Sequence, residues 1–273
     1  MANLEQAYAE MAERTARRIT NGFAEWTAFL AFAGRLYKYP FDQQLLIYAQ
    51  RPNATICAPE QVWTKRMKRR IRRGSMGVPI VDNTGKTSVT RYVFDISDTE
   101  EWAGSLRPQI WRYRERCYGA VSEALEKRFG CADGDDMAEK LEAISKRLAR
   151  ECWDNRREDI LDAVPGSFLE EYDALNVEVS FQSAVSVSAA YALMYRCNLE
   201  PDEHFRHDDF LSVFDFNTAA VVFALGHAVS ESAEQALREI EKAVKSYGRV
   251  RISSGGHRSD ALHADVPREN ARA

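Results

Sequence analysis

The chain has 273 residues, of which 45% are hydrophobic and 29% are charged. This balance is typical of a globular protein with enough apolar material for a core, and it argues against wholesale disorder. No uncharged apolar run reaches the roughly 18 residues of a membrane span, and the first residues lack the basic and apolar regions of a signal peptide. We therefore expect a cytoplasmic protein with no membrane partner.

The five cysteines are odd in number, widely spaced and free of any C-x-x-C pair. This pattern argues against a zinc ribbon and against a disulfide framework, so we expect reduced cysteines in or near the core. We predict no metal and no other cofactor.

The net charge of −4 is unevenly distributed along the chain. Residues 1–110 contain 16 Lys and Arg against 11 Asp and Glu, whereas the remainder contains 21 against 30. The overall acidity would argue against a nucleic-acid partner, but a basic first part joined to an acidic second part favours one for the first part.

The first 50 residues are predicted to be helical. Residues 3–19 are amphipathic, and residues 24–36 place their apolar side chains on one buried stripe. Pro40 ends the second helix, and Asp42 is expected to cap a third helix over residues 43–50.

The pattern then changes to strands. Pro59 suits the first turn of a short helix that holds Trp63. Residues 82–86, DNTGK, are typical of a hairpin turn and separate a short apolar run from an alternating run. Together these runs predict a β-hairpin over residues 76–95, within a few residues.

From about residue 107 onward the helical period dominates. Residues 137–148 and 237–247 each place apolar side chains on one face. Residues 177–196 first alternate like a strand, but their length and their Ala-Tyr-Ala-Leu-Met sequence favour a helix. The stretch 249–273 has no apolar period and is typical of a disordered tail or linker.

These elements predict an α+β fold, in which a small N-terminal module of helices and a β-hairpin or sheet precedes a mainly helical region. We place a nucleic-acid-binding module at residues 1–106, a mainly helical acidic domain at 107–250 and a disordered tail or linker at 251–273.

The most unusual local feature is the segment 65–73, KRMKRRIRR, which holds seven basic residues in nine positions and no acid. Repulsion among these charges disfavours the free state, and phosphates relieve it. Arg outnumbers Lys five to two, which suits phosphate binding and base stacking. The alternative interpretation, a solvated face or a localisation signal, is about equally common for an arbitrary basic run.

Aromatic and amide side chains are close to this segment in the sequence. Rings beside a cationic track can stack on unpaired bases, and amides can hydrogen-bond base edges or sugars. The alternative is that some of the rings, such as Tyr48 and Trp63, fill the core. The predicted nucleic-acid-binding residues are Tyr37, Lys38, Tyr39, Gln43, Gln44, Trp63, Lys65, Arg66, Lys68, Arg69, Arg70, Arg72, Arg73, Lys86 and Arg91.

Three motifs in this region resemble the N-terminal domain of ArdC-type antirestriction proteins. Residues 41–54, FDQQLLIYAQRPNA, are similar to that family's amide-rich helix followed by a proline. Trp63, the basic stretch and the glycine turn 73–77, RGSMG, resemble the family's next motif, and residues 93–99, VFDISDT, resemble the strand that follows. The chain through residues 225–241 also resembles the first segment of large conjugative-element proteins, where such a module precedes methylase-like and helicase-like regions.

The resemblance implies single-stranded DNA binding that protects incoming plasmid or transposon DNA from host restriction. The family's metalloprotease-like domain carries a His-Glu-x-x-His helix that would hold zinc. This motif is absent from the sequence, so protease activity is not implied.

Other catalytic motifs are also missing. The sequence has no P-loop, no dinucleotide-binding glycine motif and no Gly-x-Ser-x-Gly turn. The three-residue spacing of His204 and His207 could bring both imidazoles to one face of a helix, near several acids, where they could bind a metal ion. Asp154, Glu158 and Asp159 could hold Mg²⁺, although solvation of a helix surface is the commoner role of such residues.

We therefore predict a non-enzymatic protein of a mobile genetic element that binds single-stranded DNA in antirestriction or in conjugative DNA transfer. Its acidic helical half would contact other proteins or other domains of a longer parent protein. Two alternatives stay open. One is an anti-defence inhibitor that binds a host protein, with the acidic half as a nucleic-acid mimic, and the other is a metal-dependent nuclease.

Overall fold

A computed structural model describes residues 2–83, 87–130 and 133–254 of the chain. It confirms the predicted α+β class, because helices dominate and a small antiparallel sheet lies in the N-terminal part. The α-helices are α1 (Ala2–Ile19), α2 (Phe23–Arg35), α3 (Phe41–Gln50), α4 (Tyr118–Phe129), α5 (Met137–Ala163), α6 (Ala174–Cys197) and α7 (Ala219–Ser254). The strands are β1 (Cys57–Pro59), β2 (Arg70–Ile71), β3 (Val78–Asp82), β4 (Val89–Asp95) and β5 (Thr99–Glu100).

The three N-terminal helices follow their predicted limits to within two residues. The predicted apolar stripe of α2 is buried, with Trp26 and Phe29 among its buried side chains. The predicted cap of α3 is wrong, because the helix begins directly after Pro40 and Asp42 lies inside its first turn. A proline suits this place, since its fixed φ and missing N–H cost nothing before a helix. Asp42 Oδ1 instead lies 3.1 Å from Nε2 of His227 in α7.

The predicted hairpin is confirmed as β3 and β4. The two strands pair antiparallel, with Val78 opposite Val93 and Asp82 opposite Val89. Residues 84–86 of the predicted turn, which include Lys86, lie outside the described residues.

A third strand was not predicted. β1 pairs with the free side of β4, so that Cys57 lies opposite Asp95 and the sheet order is β1-β4-β3. Pro59 therefore ends a strand and does not begin a helix. The helical segment that holds Trp63 follows it as the π-helical turn Val62–Arg66. A strand of three residues is too short to show an alternating pattern, which explains why the sequence did not reveal it.

The second half is built on α5, α6 and α7. Residues 177–196 lie within α6, which confirms the helical interpretation. α5 and α6 begin at Asp136 and Asp173, whose carboxylates accept backbone N–H groups three residues further on, as N-caps do. α7 extends through Ser254, so residues 251–254 of the predicted tail are helical, and the rest of it lies outside the described residues.

The cysteines behave as predicted where they are described. Cys57, Cys117, Cys152 and Cys197 are free and buried, whereas Cys131 lies outside the described residues. Among the helices that the structure describes, none combines the length and the apolar character that crossing a membrane requires.

The N-terminal module and the helical region share one hydrophobic core. The indole Nε1 of Trp26 donates a hydrogen bond to Ser188 Oγ at 2.9 Å, between two buried side chains of α2 and α6. Phe41 packs edge-on against Phe223 and lies directly over Gly226, both in α7. The core is thus continuous across the predicted boundary between residues 106 and 107.

Candidate nucleic-acid interface

The basic segment, residues 65–73, is held in a fixed conformation by its backbone. It runs from the end of the π-helical turn into β2, and the N–H of Arg69 donates to the carbonyl of Trp63 at 2.8 Å. Lys68 adopts a left-handed conformation with φ of 52°, which is costly for a residue with a Cβ. The cost is offset at its carbonyl, which accepts hydrogen bonds from Trp102 Nε1 and Ser105 Oγ, both at 2.6 Å.

Arg69 is buried and connects the basic segment to residues 99–101. Only 6% of the residue is exposed. Its Nε donates to Thr99 Oγ1 at 2.8 Å, and its Nη1 lies 2.8 Å from Glu101 Oε1. The hydrogen bond from Arg69, with the charge of Arg107, lowers the pKa of Glu101. Arg69 was predicted to contact nucleic acid, but the structure places it against β5, where it anchors the segment.

The other six cations of the segment are exposed. Arg69 is the one cation among the seven that has a carboxylate partner within the described residues. The Arg72 side chain donates its Nε to the carbonyl of Thr99 at 3.2 Å and is in no ion pair with any residue that the structure describes. We call this group the basic surface; its members are Lys65, Arg66, Lys68, Arg70, Arg72 and Arg73.

An aromatic side chain that was not predicted lies beside the basic surface. Trp102 is 50% exposed, and the guanidinium carbon of Arg70 lies 3.9 Å from the centre of its ring. Its indole N–H is already used by the carbonyl of Lys68, so the ring is held in place. A single tryptophan in a polar loop is the signal that could have identified it, since such a ring has no helical or strand pattern to explain it.

The predicted aromatic and amide ligands are placed differently. Trp63 is 1% exposed and donates its Nε1 to the carbonyl of Phe94 at 2.9 Å. Gln43 donates to the carbonyl of Val81 at 2.9 Å, and Gln44 is buried and donates to the carbonyl of Leu36 at 3.3 Å. Trp63 thus joins the π-helical turn to β4. The two amides join α3 to β3 and to Leu36 at the end of α2, because a buried amide must find a backbone partner.

The remaining predicted residues fall into two places. Arg91 lies on β4, where its Nε is 2.6 Å from Asp82 Oδ2 across the hairpin. Tyr37, Lys38 and Tyr39 lie far along the chain from the basic segment and line a separate cleft. Lys38 is paired there with Glu241 at 2.7 Å, and Tyr39 donates its hydroxyl to the carbonyl of Cys57 at 2.8 Å.

Glu241 of α7 is the centre of a buried polar network at this cleft. Its carboxylate accepts from the Tyr37 hydroxyl at 2.5 Å and from Lys38 and Lys245. Burial alone would raise the pKa of Glu241, but the hydrogen bonds from Lys245, Lys38 and Tyr37 outweigh it and lower the pKa to about 2. Burial and the bond to Glu241 raise the pKa of Tyr37. The network therefore stays charged at Glu241 and neutral at Tyr37 over the physiological range.

The described residues offer no metal-binding cluster. Within residues 2–83, 87–130 and 133–254, no three His, Cys, Asp or Glu side chains lie close enough together to hold an ion. His207, half of the spaced histidine pair, stacks on Phe214 with ring centres 5.9 Å apart and lies 3.4 Å from Asp208.

The fold and the site together define a mainly helical α+β protein with an exposed basic surface next to a half-exposed tryptophan. Comparison with known proteins adds no family to this description, since no protein-family model, no curated protein and no solved structure matches the chain.

Proposed function

We propose that this chain is a non-enzymatic protein that binds single-stranded DNA through the basic surface and Trp102. The observation that carries the proposal is the set of six exposed cations without carboxylate partners in the described residues, one of which, Arg70, lies against the half-exposed ring of Trp102. Cations bind phosphates and release counterions, and this supplies most of the affinity of sequence-independent binding.

The exposed tryptophan favours a single strand over a duplex. Base stacking on an aromatic side chain requires an unpaired base, and each such stack contributes about 1–3 kcal/mol. Trp102 is half-exposed and Arg70 covers one part of it, so its ring and the neighbouring cations can hold a base and its phosphate at the same time. A duplex would offer only its phosphates to this surface.

The resemblance of residues 41–54, 63–77 and 93–99 to ArdC-type proteins supports the same ligand. It also supports a role in antirestriction or in conjugative DNA transfer of a mobile genetic element. In this proposal the basic surface holds the incoming strand, and Arg69 keeps the basic surface in shape through Thr99 and Glu101.

The test is fluorescence anisotropy with a labelled oligonucleotide, single-stranded and double-stranded, across a salt series. We expect a preference for the single strand. Binding through about six phosphates gives a slope of log K against log salt of about −4, since each contact contributes about −0.7 for single strands. Removing two cations in Arg72→Ala/Arg73→Ala should reduce that slope by about 1.4 and weaken binding at least tenfold.

Matched variants separate the ligand contact from other effects. Arg150→Ala/Arg157→Ala makes the same charge change at two exposed positions of α5 and should bind like the wild type. Trp102→Ala should weaken binding about tenfold, whereas Trp102→Phe, which keeps a ring, should lose much less. Arg69→Ala should lower the melting temperature, unlike Arg73→Ala. Absence of binding at low salt, or equal losses in the α5 control, would refute the proposal.

A further inference from the structure

The structure contains a cleft of about 1140 Å³. Its walls are residues 35–39 after α2, residues 55–57 around the start of β1, the coil 109–115, the end of α6 and Glu241 of α7. This is ample for a small organic ligand, since ligand pockets typically have volumes of about 300–1,000 Å³. The basic surface contributes no residue to it, so the cleft is a separate site.

The most informative residue of the cleft is Arg196. Its guanidinium carbon lies 3.6 Å from the ring centre of Trp111, and its Nη2 donates to the Trp111 carbonyl at 3.1 Å. Burial lowers the pKa of Arg196, and no carboxylate pairs with it among the residues that the structure describes. Glu241 attracts Arg196 at longer range, but within the described residues this half-buried guanidinium donates one hydrogen bond, and an anion in the cleft would compensate it further.

The net charge of the residues that line the cleft also favours an anionic ligand. Five basic side chains face two acidic ones, and the carboxylate of Glu241 is already used by Tyr37, Lys38 and Lys245. Arg112 and Arg114 are exposed and, like Arg196, have no ion-pair partner within the described ranges. The basic residues are Arg35, Lys38, Arg112, Arg114 and Arg196, and the acidic ones are Glu115 and Glu241. The uncompensated charge matches a group that carries about two negative charges, such as a phosphate monoester.

The cleft also offers a ring for stacking. Tyr195 is 39% exposed, and its hydroxyl accepts a hydrogen bond from Arg35 Nη1 at 3.3 Å. The Arg35 guanidinium also lies 5.9 Å from the centre of this ring. A planar nucleobase can stack on such a face. We propose that this cleft binds a nucleoside phosphate, with the phosphate at Arg196, Arg112 and Arg114 and the base against Tyr195.

Two sources supply this chemistry, a free nucleotide and the phosphorylated end of a DNA strand. A short stretch of chain connects the basic segment to the cleft: Leu106 donates its N–H to the carbonyl of Met67 at 2.8 Å, and Gln109 lines the cleft. The three residues from Leu106 to Gln109 span at most about 11 Å when fully extended. A strand held on the basic surface could therefore place its terminal nucleotide in the cleft, but nucleotide binding there does not depend on the function proposed above.

The experiment is isothermal titration calorimetry of the full chain with four probes. These are inorganic phosphate, deoxyadenosine monophosphate, and a short oligothymidylate with either a 5′-phosphate or a 5′-hydroxyl. We expect the mononucleotide to bind, and Arg112→Ala/Arg114→Ala to weaken it at least tenfold. Arg150→Ala/Arg157→Ala is the matched control and should bind normally. A gain of tenfold or more for the 5′-phosphate over the 5′-hydroxyl, with competition by the mononucleotide, identifies a strand end as the source. No such gain identifies the free nucleotide.

Variants of Tyr195 and Arg196 test separately where the base and the phosphate bind. Tyr195→Leu should weaken the mononucleotide and leave inorganic phosphate unchanged, and Tyr195→Phe should bind nearly as well as the wild type. Arg196→Gln should weaken both. Arg72→Ala/Arg73→Ala should change neither, which separates this site from the basic surface. The proposal is overturned if the mononucleotide does not bind, if it binds no better than phosphate, or if Arg112→Ala/Arg114→Ala and Arg196→Gln both bind it normally.

Discussion

Gly226→Ala is the sharpest test of how the two halves of the chain are joined. Gly226 lies in α7, and a Cβ built on it would come closer than 3.0 Å to three atoms of the Phe41 ring. Phe41 is 1% exposed and is surrounded edge-on by Phe29, Phe223 and His227. The ring therefore has nowhere to move without displacing a second aromatic side chain.

Two effects of opposite sign determine how much Gly226→Ala changes the free energy of unfolding. Alanine is about 1 kcal/mol better than glycine in a helix, whereas overpacking a dense core costs about 1–3 kcal/mol and occasionally more. Because the added methyl group would overlap a ring held on three sides, we expect the upper end of that range and a net loss of about 2 kcal/mol. For a protein of this size, such a loss lowers the melting temperature by about 4–8 °C.

The assay is urea unfolding followed by circular dichroism and by tryptophan fluorescence. Gly119→Ala is the matched control, because Gly119 lies in α4 and a Cβ there would meet nothing within 4 Å. It should be neutral or stabilising by up to about 1 kcal/mol. Phe41→Leu should relieve the overlap, so that the double variant Phe41→Leu/Gly226→Ala is up to about 3 kcal/mol more stable than the sum of the single effects, the full overpacking cost. If Gly226→Ala is as stable as Gly119→Ala, the close packing of α3 on α7 is refuted.

Three further predictions concern buried polar groups. Ser188→Ala should lower the free energy of unfolding by about 1–3 kcal/mol, since it leaves the indole N–H of Trp26 without an acceptor; an unchanged denaturation midpoint would contradict it. Glu241 has a lowered folded pKa of about 2, so its contribution is complete above about pH 5 and is lost as the pH falls towards 2. Glu241→Gln should therefore cost about 2 kcal/mol at pH 7 and almost nothing at pH 2, as measured by urea unfolding at both pH values. Burial raises the pKa of Cys57 and of Cys197 to about 12, so neither should react with a thiol reagent at pH 8 until the chain is unfolded.

The fold was largely predictable where one periodicity extends over many residues. The helical spacing of apolar residues identified α2, α5 and α7, and the turn chemistry at 82–86 identified the hairpin, because these signals are local. β1 was missed because a strand of three residues has no period. The cap of α3 was misassigned because Pro40 and Asp42 are both plausible there from sequence, and only the backbone conformation separates them.

The site was less predictable, and the reason is physical. Trp63, Gln43 and Gln44 are the residue types that bind single strands, but the same amides and indole also satisfy buried carbonyls when they face a core. Which of the two uses applies depends on how α3 packs against the sheet, and this packing is non-local. Likewise the cleft is assembled from segments as distant in sequence as Arg35 and Glu241, so no spacing along the chain could indicate it.

The basic segment shows how composition and geometry have to be combined. Seven cations in nine positions suggest a ligand for all of them, yet Arg69 turns inward and uses Glu101, the acid that also faces Arg107 at 3.5 Å. Because that carboxylate is engaged by Arg69, it cannot also neutralise the six cations that remain outside. The ion pair that anchors the segment thus leaves the other six cations without a carboxylate partner among the residues that the structure describes. An anionic strand would supply the missing charge, and this is the physical reason to expect a ligand at this surface.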